Sequence, residues 1–422
     1  MKKNIAKNRL IFTVIFTIFT IFTIFALFAV SGCKPAGQDN ESARTLSPEP
    51  SGITSMQPSP VLSPAAQVSS EPELIMMNSA CPKFRNDNSN SGRSTGACPE
   101  NPEILWTFKT GGSIARPPSL DNKGNIYFGG NDSVFYCVNP NGKLLWKTKL
   151  DEWVDSTPVI TGNGIVIVGC DDGNLIAISP EGKILWKYYL HAEISSSPSI
   201  TSNLVFTGSE DGSLYGINAN GEVKSKFKAK SRILVSSPAI TEDGNIIAGA
   251  EDSNLYCIKP DGSVVWQYKG ECEEVFVSPP AITPDGSIVF GTPEKKMVCL
   301  EKTGRLKWEI PLHEETSVPA GIGKDGKIYA VANDGVLMSV DPNGKILWKT
   351  KAPEREITGG LCLSSNDRII MSGTKIHIYD ISGKLLKVVS SLKGKLTEPV
   401  LGADGKIFAG SSSGFLYCLG KK

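Results

Sequence analysis

The chain has 422 residues, with 44 Lys and Arg against 43 Asp and Glu, for a formal net charge of +1. No bulk charge therefore directs it to nucleic acid or to an acidic substrate. It is 40% hydrophobic and 21% charged, and its 42 glycines and seven mostly periodic tryptophans favour many short strands and turns over helices.

Residues 1–33 read as a targeting segment. Lys2, Lys3, Lys7 and Arg9 form a basic start, Leu10 to Val30 is an uncharged apolar run, and Val30-Ser31-Gly32-Cys33 follows. This end resembles the lipobox of bacterial lipoproteins, in which the Cys is lipidated and becomes the first mature residue. The resemblance assigns lipidation to Cys33. It places the remainder outside the cytoplasm, lipid-anchored to the cell membrane, or to the outer membrane if the host has one. An uncleaved membrane-spanning anchor is the alternative, because the run is about as long as a bilayer requires. Both readings put the chain where disulfides are permitted. Residues 34–80 are rich in Pro, Ser, Gln and Glu, with Pro48, Pro50, Pro58, Pro60, Pro64 and Pro72. That composition has too little apolar surface to offset the entropy of ordering, so it reads as a disordered tether. Residues 81–101 read as a lead-in to the repeats.

From 102 to 422 one pattern recurs with a period near 40 residues. A Pro returns at Pro118, Pro158, Pro198, Pro238, Pro280, Pro319 and Pro399, with Gly360 near the missing place. A Trp returns at Trp106, Trp146, Trp186, Trp266, Trp308 and Trp348, with Ser225 and Lys387 at the two weak positions. Such a period means a solenoid, an array or a propeller. Within residues 236–269, SSPAI, GNIIAG, NLYCI and SVVWQYK read as four short strands, separated by TEDGN, AEDSN and KPDGS turns. Asp-Gly between apolar runs supplies the positive φ that tight hairpins need. Each repeat is thus a four-stranded antiparallel meander, a propeller blade. The Pro belongs on its innermost edge strand, where no ladder donor is required.

Residues 111–390 hold seven repeats. The C-terminal piece 398–420 has three strands and stops, whereas PEILWTFK (102–109) is a lone fourth strand. Joined, they complete one blade and leave no unpaired edge. The expected fold is all-β, an eight-bladed β-propeller closed by the N-terminal strand. Seven blades remain the alternative if the weak repeat at 351–390 is displaced.

The stretches NPNGKLLW (139–146), SPEGKILW (179–186) and DPNGKILW (341–348) resemble the repeat of quinoprotein-type, or PQQ-like, propellers. CPKFRNDNSNSGRS (81–94) is similar to that family's Trp-Pro-x-Phe-Arg lead-in, with Cys81 in place of Trp. The resemblance implies that the six tryptophans dock between neighbouring blades. It also implies one of two functions. Some members are dehydrogenases that hold pyrroloquinoline quinone and Ca²⁺ in the central funnel. Others are binders without catalysis, such as the propeller lipoprotein of the outer-membrane barrel-assembly machinery. The chain has no adjacent Cys pair of the dehydrogenase kind and no Cys-x-x-Cys-His motif, so the binder branch is expected, without a cofactor, with the dehydrogenase as alternative.

Cys137, Cys257, Cys299 and Cys418 share a repeat position with Ala177, Gly216 and Ser339, which reads as a slot for a small buried side chain. Cys81 and Cys98 flank a polar loop outside the repeats, and a disulfide there would contribute about 3 kcal/mol. Cys170 and Cys272 have no obvious partner. The acidic turns at 169–174 and 208–213 lack EF-hand spacing and read as turn chemistry, with no metal site expected. The connections between blades vary in chemistry: Arg116, Trp153, Asp155, His191, Glu193, Arg232, Glu274, His313, Glu314, Arg355 and Lys395. This rim is where an envelope protein or surface polymer is expected to dock. The chain is expected to be a monomeric, membrane-anchored scaffold that does not bind nucleic acid. A glycan-binding or glycan-cleaving propeller is a third reading, resting on Trp153 and paired acids.

Overall fold

The computed structural model describes residues 74–201, 203–233, 237–270, 278–354, 357 and 359–422. Cys33, Cys272, Glu274 and Arg355 lie outside them. Every element among the described residues is a strand, and these strands form eight four-stranded antiparallel sheets. Blades 1 to 7 follow one another in sequence over 119–149, 159–189, 199–228, 239–269, 281–311, 321–351 and 360–389. Blade 8 takes three strands from the C-terminus, Val400–Leu401, Ile407–Gly410 and Phe415–Gly420, and its outermost strand, Glu103–Lys109, from the N-terminal side. Glu103 lies opposite Gly420 and Lys109 opposite Phe415. The ring is closed by that pairing, as the two incomplete ends of the repeat region require, and the weak repeat at 351–390 is a full blade.

Alternation explains the core. A strand buried on both faces needs continuous apolar residues. The second and third strands have them, as in Val166–Gly169 and Asn174–Ile178. Outermost strands such as Leu144–Lys149 alternate exposed Lys with half-buried residues. Eight apolar clusters each join two neighbouring blades. One of them packs Phe408, Leu416 and Cys418 of blade 8 against Leu120, Ile126 and Phe128 of blade 1.

The tryptophans sit at these seams. Trp106, Trp146, Trp186, Trp266, Trp308 and Trp348 donate their indole N–H to Pro140, Pro180, Ala219, Lys302, Pro342 and Ile381 carbonyls at 2.8–3.1 Å, each in the next blade. The ring lies over a glycine two residues further on: a Cβ on Gly182, itself at φ +84, would stand 2.6 Å from Trp146. Gly142, Gly182, Gly304 and Gly344 of the Gly-x-x-x-Trp runs thus receive the tryptophan of the preceding blade, not their own, whereas Gly262 faces Ser225 and Lys226 of blade 3, where the tryptophan is missing. Cys137, Cys257, Cys299 and Cys418 lie directly opposite Trp146, Trp266, Trp308 and Trp106 across the sheet and are buried. Their burial pushes these thiols up to about 12, so they remain protonated packing groups.

Candidate functional site

The recurring proline precedes the innermost strand of its blade, and the residue before it faces the central channel. Pro117, Ser197, Ser237, Pro279, Val318 and Glu398 are six such residues lining one cavity. The small hydroxyl residues do more than fit. Thr157 N–H donates to Ser197 Oγ at 2.9 Å, and Ser197 N–H donates to Ser237 Oγ at 3.1 Å. Ser119 and Ser199 donate to the Pro158 and Pro238 carbonyls at 2.6 and 2.7 Å. Each bond spans one blade, so the inner edges are laced together where strand ladders cannot reach.

One mouth of the channel is closed by the lead-in. Its main chain and polar side chains bond to the first strand of every blade in turn. Leu120 and Ile160 of blades 1 and 2 donate to the Cys81 and Pro82 carbonyls. Asn88 Nδ2 donates to Ile200 of blade 3. Ile240, Ile282, Ile322 and Leu363 of blades 4 to 7 donate to Asn88, Ser89, Ser91 and Gly92. Ser94 Oγ donates to Leu401 of blade 8. The inner strand edges, which would otherwise present unpaired groups, are satisfied by this single pass of chain.

The plug carries buried charge. Lys83 donates to Asn90 Oδ1 at 2.6 Å and to the Phe84 and Asp87 carbonyls at 2.8 and 3.1 Å, and burial lowers its pKa to about 8. Arg85 pairs with Glu398 of blade 8 at 2.8 Å, both buried. It also donates to the Leu361 and Ala320 carbonyls of blades 7 and 6. The family-like Pro-x-Phe-Arg run thus places Phe84 at the channel floor and Arg85 beneath three blades. The sequence marks the segment only as a lead-in to the repeats; the unusual density of Asn, Ser and Gly in 86–96 is the signal of its closing role.

Two expectations are corrected here. Residues 74–80 do not belong to a free tether. Leu74 and Met77 are buried, Met76 bridges to Thr161 and Ser79 Oγ donates to the Leu120 carbonyl at 2.6 Å. The apolar run Leu74-Ile75-Met76-Met77 supplies the surface that the preceding Pro-rich stretch lacks. Cys81 and Cys98 do not form a disulfide: both are free and buried. Cys81 packs in the blade 8–blade 1 cluster and Cys98 in the blade 7–blade 8 cluster, because the plug carries the chain around the ring between them. Burial pushes both thiols up to about 12.

Above Phe84 the channel is a blind cup of about 140 Å³. Sites for small-molecule ligands usually measure about 300–1,000 Å³. The one carboxylate among its lining residues, Glu398, is already bound to Arg85. The cup does not fit a quinone with a Ca²⁺ ion. Among the described residues no group of three or more His, Cys, Asp or Glu is arranged to hold a metal.

The cup opens toward the varied connections. In blades 2, 3, 4 and 8 a connection carbonyl accepts the N–H of the facing strand 2–strand 3 turn: Trp153 from Asp171, Glu193 from Glu210, Arg232 from Glu251, and Lys395 from Ser412. These side chains are therefore repeat-equivalent spokes of one face. Arg116 Nε donates to the Asp155 carbonyl at 2.8 Å. Burial together with the charges of Asp155 and Glu193 raises Asp171 to about 7. Glu210 is raised by burial and Glu193, and bonds Arg232 at 3.4 Å. The structure thus gathers Arg116, Asp155, Glu193 and Arg232 into one acidic arc over blades 1 to 4, with Asp171 and Glu210, which sequence reading had assigned to turns. Trp153 beside it is 49% exposed. His191 stacks edge-on against Tyr189. His313 and Glu314 lie elsewhere on the rim, paired with Asp334 at 3.3 Å and Lys295 at 3.2 Å.

Eight four-stranded blades, laced around a plugged channel and closed by a strand from the opposite end of the chain, define an eight-bladed β-propeller. The chain belongs to the PQQ_2 family, described as outer membrane protein assembly factor BamB, whose model matches residues 98–181, 131–274 and 251–414. The crystal structure of BamB from Moraxella catarrhalis is similar with a TM-score of 0.64 at 13% identity, covering 76% of this chain and 100% of that one. A computationally designed protein, Ika8, is similar with a TM-score of 0.65 at 17% identity, covering 75% and 99%. That a designed chain matches as well as a natural one shows the likeness to be one of fold. No curated protein matches the sequence.

Proposed function

We propose that the protein is a non-catalytic scaffold of the cell envelope, lipid-anchored through Cys33, that holds a protein partner, or a surface polymer, on the connection-rich rim. The observation that carries this reading is the plug. It closes the channel and leaves a cup of about 140 Å³, which favours the chemically varied rim over the funnel as the docking surface. The family description, an assembly factor of the outer membrane, agrees with a role in holding other proteins. A quinone-dependent dehydrogenase would need a deeper funnel with free carboxylates, so the binder reading is preferred and no cofactor is expected. The test is a photo-crosslinking residue placed at Trp153 on the rim and at Leu185 on the side of blade 2, in the intact anchored protein. Discrete adducts from 153 and none from 185 support the reading. Tight heat of binding to pyrroloquinoline quinone with Ca²⁺ would overturn it.

A further inference from the structure

The face opposite the rim carries a cleft between blades 4 and 5 of about 630 Å³, within the range of small-molecule sites. Three positions beside it differ from blade 1. There, Tyr127 and Phe135 cover Trp146 at ring distances of 5.9 and 6.2 Å. The positions at the same register in blade 4 are Ile247 and Leu255, so neither of these covers Trp266 with an aromatic ring, and Val265 beside it is 46% exposed. In blade 1, Asn125 Nδ2 donates to Asp121 at 2.8 Å. Blade 4 has Thr241 in place of Asp121, and the Asn245 amide is left without that acceptor. Glu242 and Asp243 project from the same exposed turn. Asp285, on the far wall, is already held by Lys307 at 2.8 Å.

We infer that this cleft is a carbohydrate-binding site for one or two sugar rings. Trp266 and Val265 offer an apolar wall for the C–H face of a pyranose. The Asn245 amide and the Glu242 and Asp243 carboxylates offer donors and acceptors for vicinal hydroxyls, whose two-way hydrogen bonding matches an amide beside acids. Ser89, from the plug, closes the inner end. The site lies on the face away from Trp153 and is independent of the rim reading.

The test titrates the full chain with N,N′-diacetylchitobiose, cellobiose and maltose, following tryptophan fluorescence and calorimetric heat. One of these should saturate. Asn245→Ala and Asp243→Ala, both in an exposed turn, should each weaken it by about tenfold without shifting the unfolding midpoint. Saturation unaffected by both variants would overturn the assignment, as would the absence of any response at about 10 mM sugar.

Discussion

Arg85 and Glu398 meet beneath the channel with almost no water access, and Arg85 has two further carbonyl partners. Removing one charge strands the other. Glu398→Gln should cost about 3–5 kcal/mol of unfolding free energy in urea; a loss below about 1 kcal/mol would mean that the pair is hydrated. Asp171 has the opposite problem. Its folded pKa, near 7, lies above its unfolded value, so its contribution to stability is full at low pH and is lost as pH rises through 7. Asp171→Asn should therefore gain on the parent protein as pH rises from about 5 to 8. Because the group is half exposed, the differential should be about 1 kcal/mol. Equal differences at both pH values would refute like-charge crowding on the rim.

At the scale of the blade, docking of a tryptophan on the next blade's glycine explains both the rule and one exception. A Cβ on Gly182, already at positive φ, would stand 2.6 Å from the Trp146 ring. Gly182→Ala should cost about 2–4 kcal/mol, read by thermal unfolding. Lys387 occupies the tryptophan position of blade 7. The next blade has no strand 3–strand 4 hairpin, since its outer strand comes from the other end of the chain. A tryptophan there has no glycine to rest on. Lys387→Trp should change stability by less than about 0.5 kcal/mol; a clear gain would show that another surface receives it. The paired exposed residues Leu144-Leu145 and Ile184-Leu185 follow from the same geometry, because a β-bulge recurs just before each tryptophan and turns an extra side chain outward.

For the whole molecule the plug is the decisive element, because it joins all eight blades without belonging to any. Deleting residues 1–98 should lower unfolding free energy by about 5 kcal/mol or more while leaving the β-sheet circular dichroism intact. An unchanged midpoint would show that the ring is closed sufficiently by the shared eighth blade.

Blade number, strand number per blade and the closing strand were legible because they depend on period and alternation, which are local. The small residue opposite each tryptophan was legible for the same reason. The lead-in was not, since Asn88, Ser89 and Ser91 matter through bonds to residues more than 100 positions away, and no spacing encodes that. The Cys81–Cys98 expectation failed on the same point: nearness in sequence says nothing once the chain circles a channel between two residues. The acidic arc was half legible, its connection residues standing out by variety while Asp171 and Glu210 looked like ordinary turns. Local periodicity by itself determined that this is a closed propeller. Only the tertiary structure decided that its channel is blind and that Asp171 and Glu210 join the acidic arc, because burial and charge crowding arise where distant segments converge.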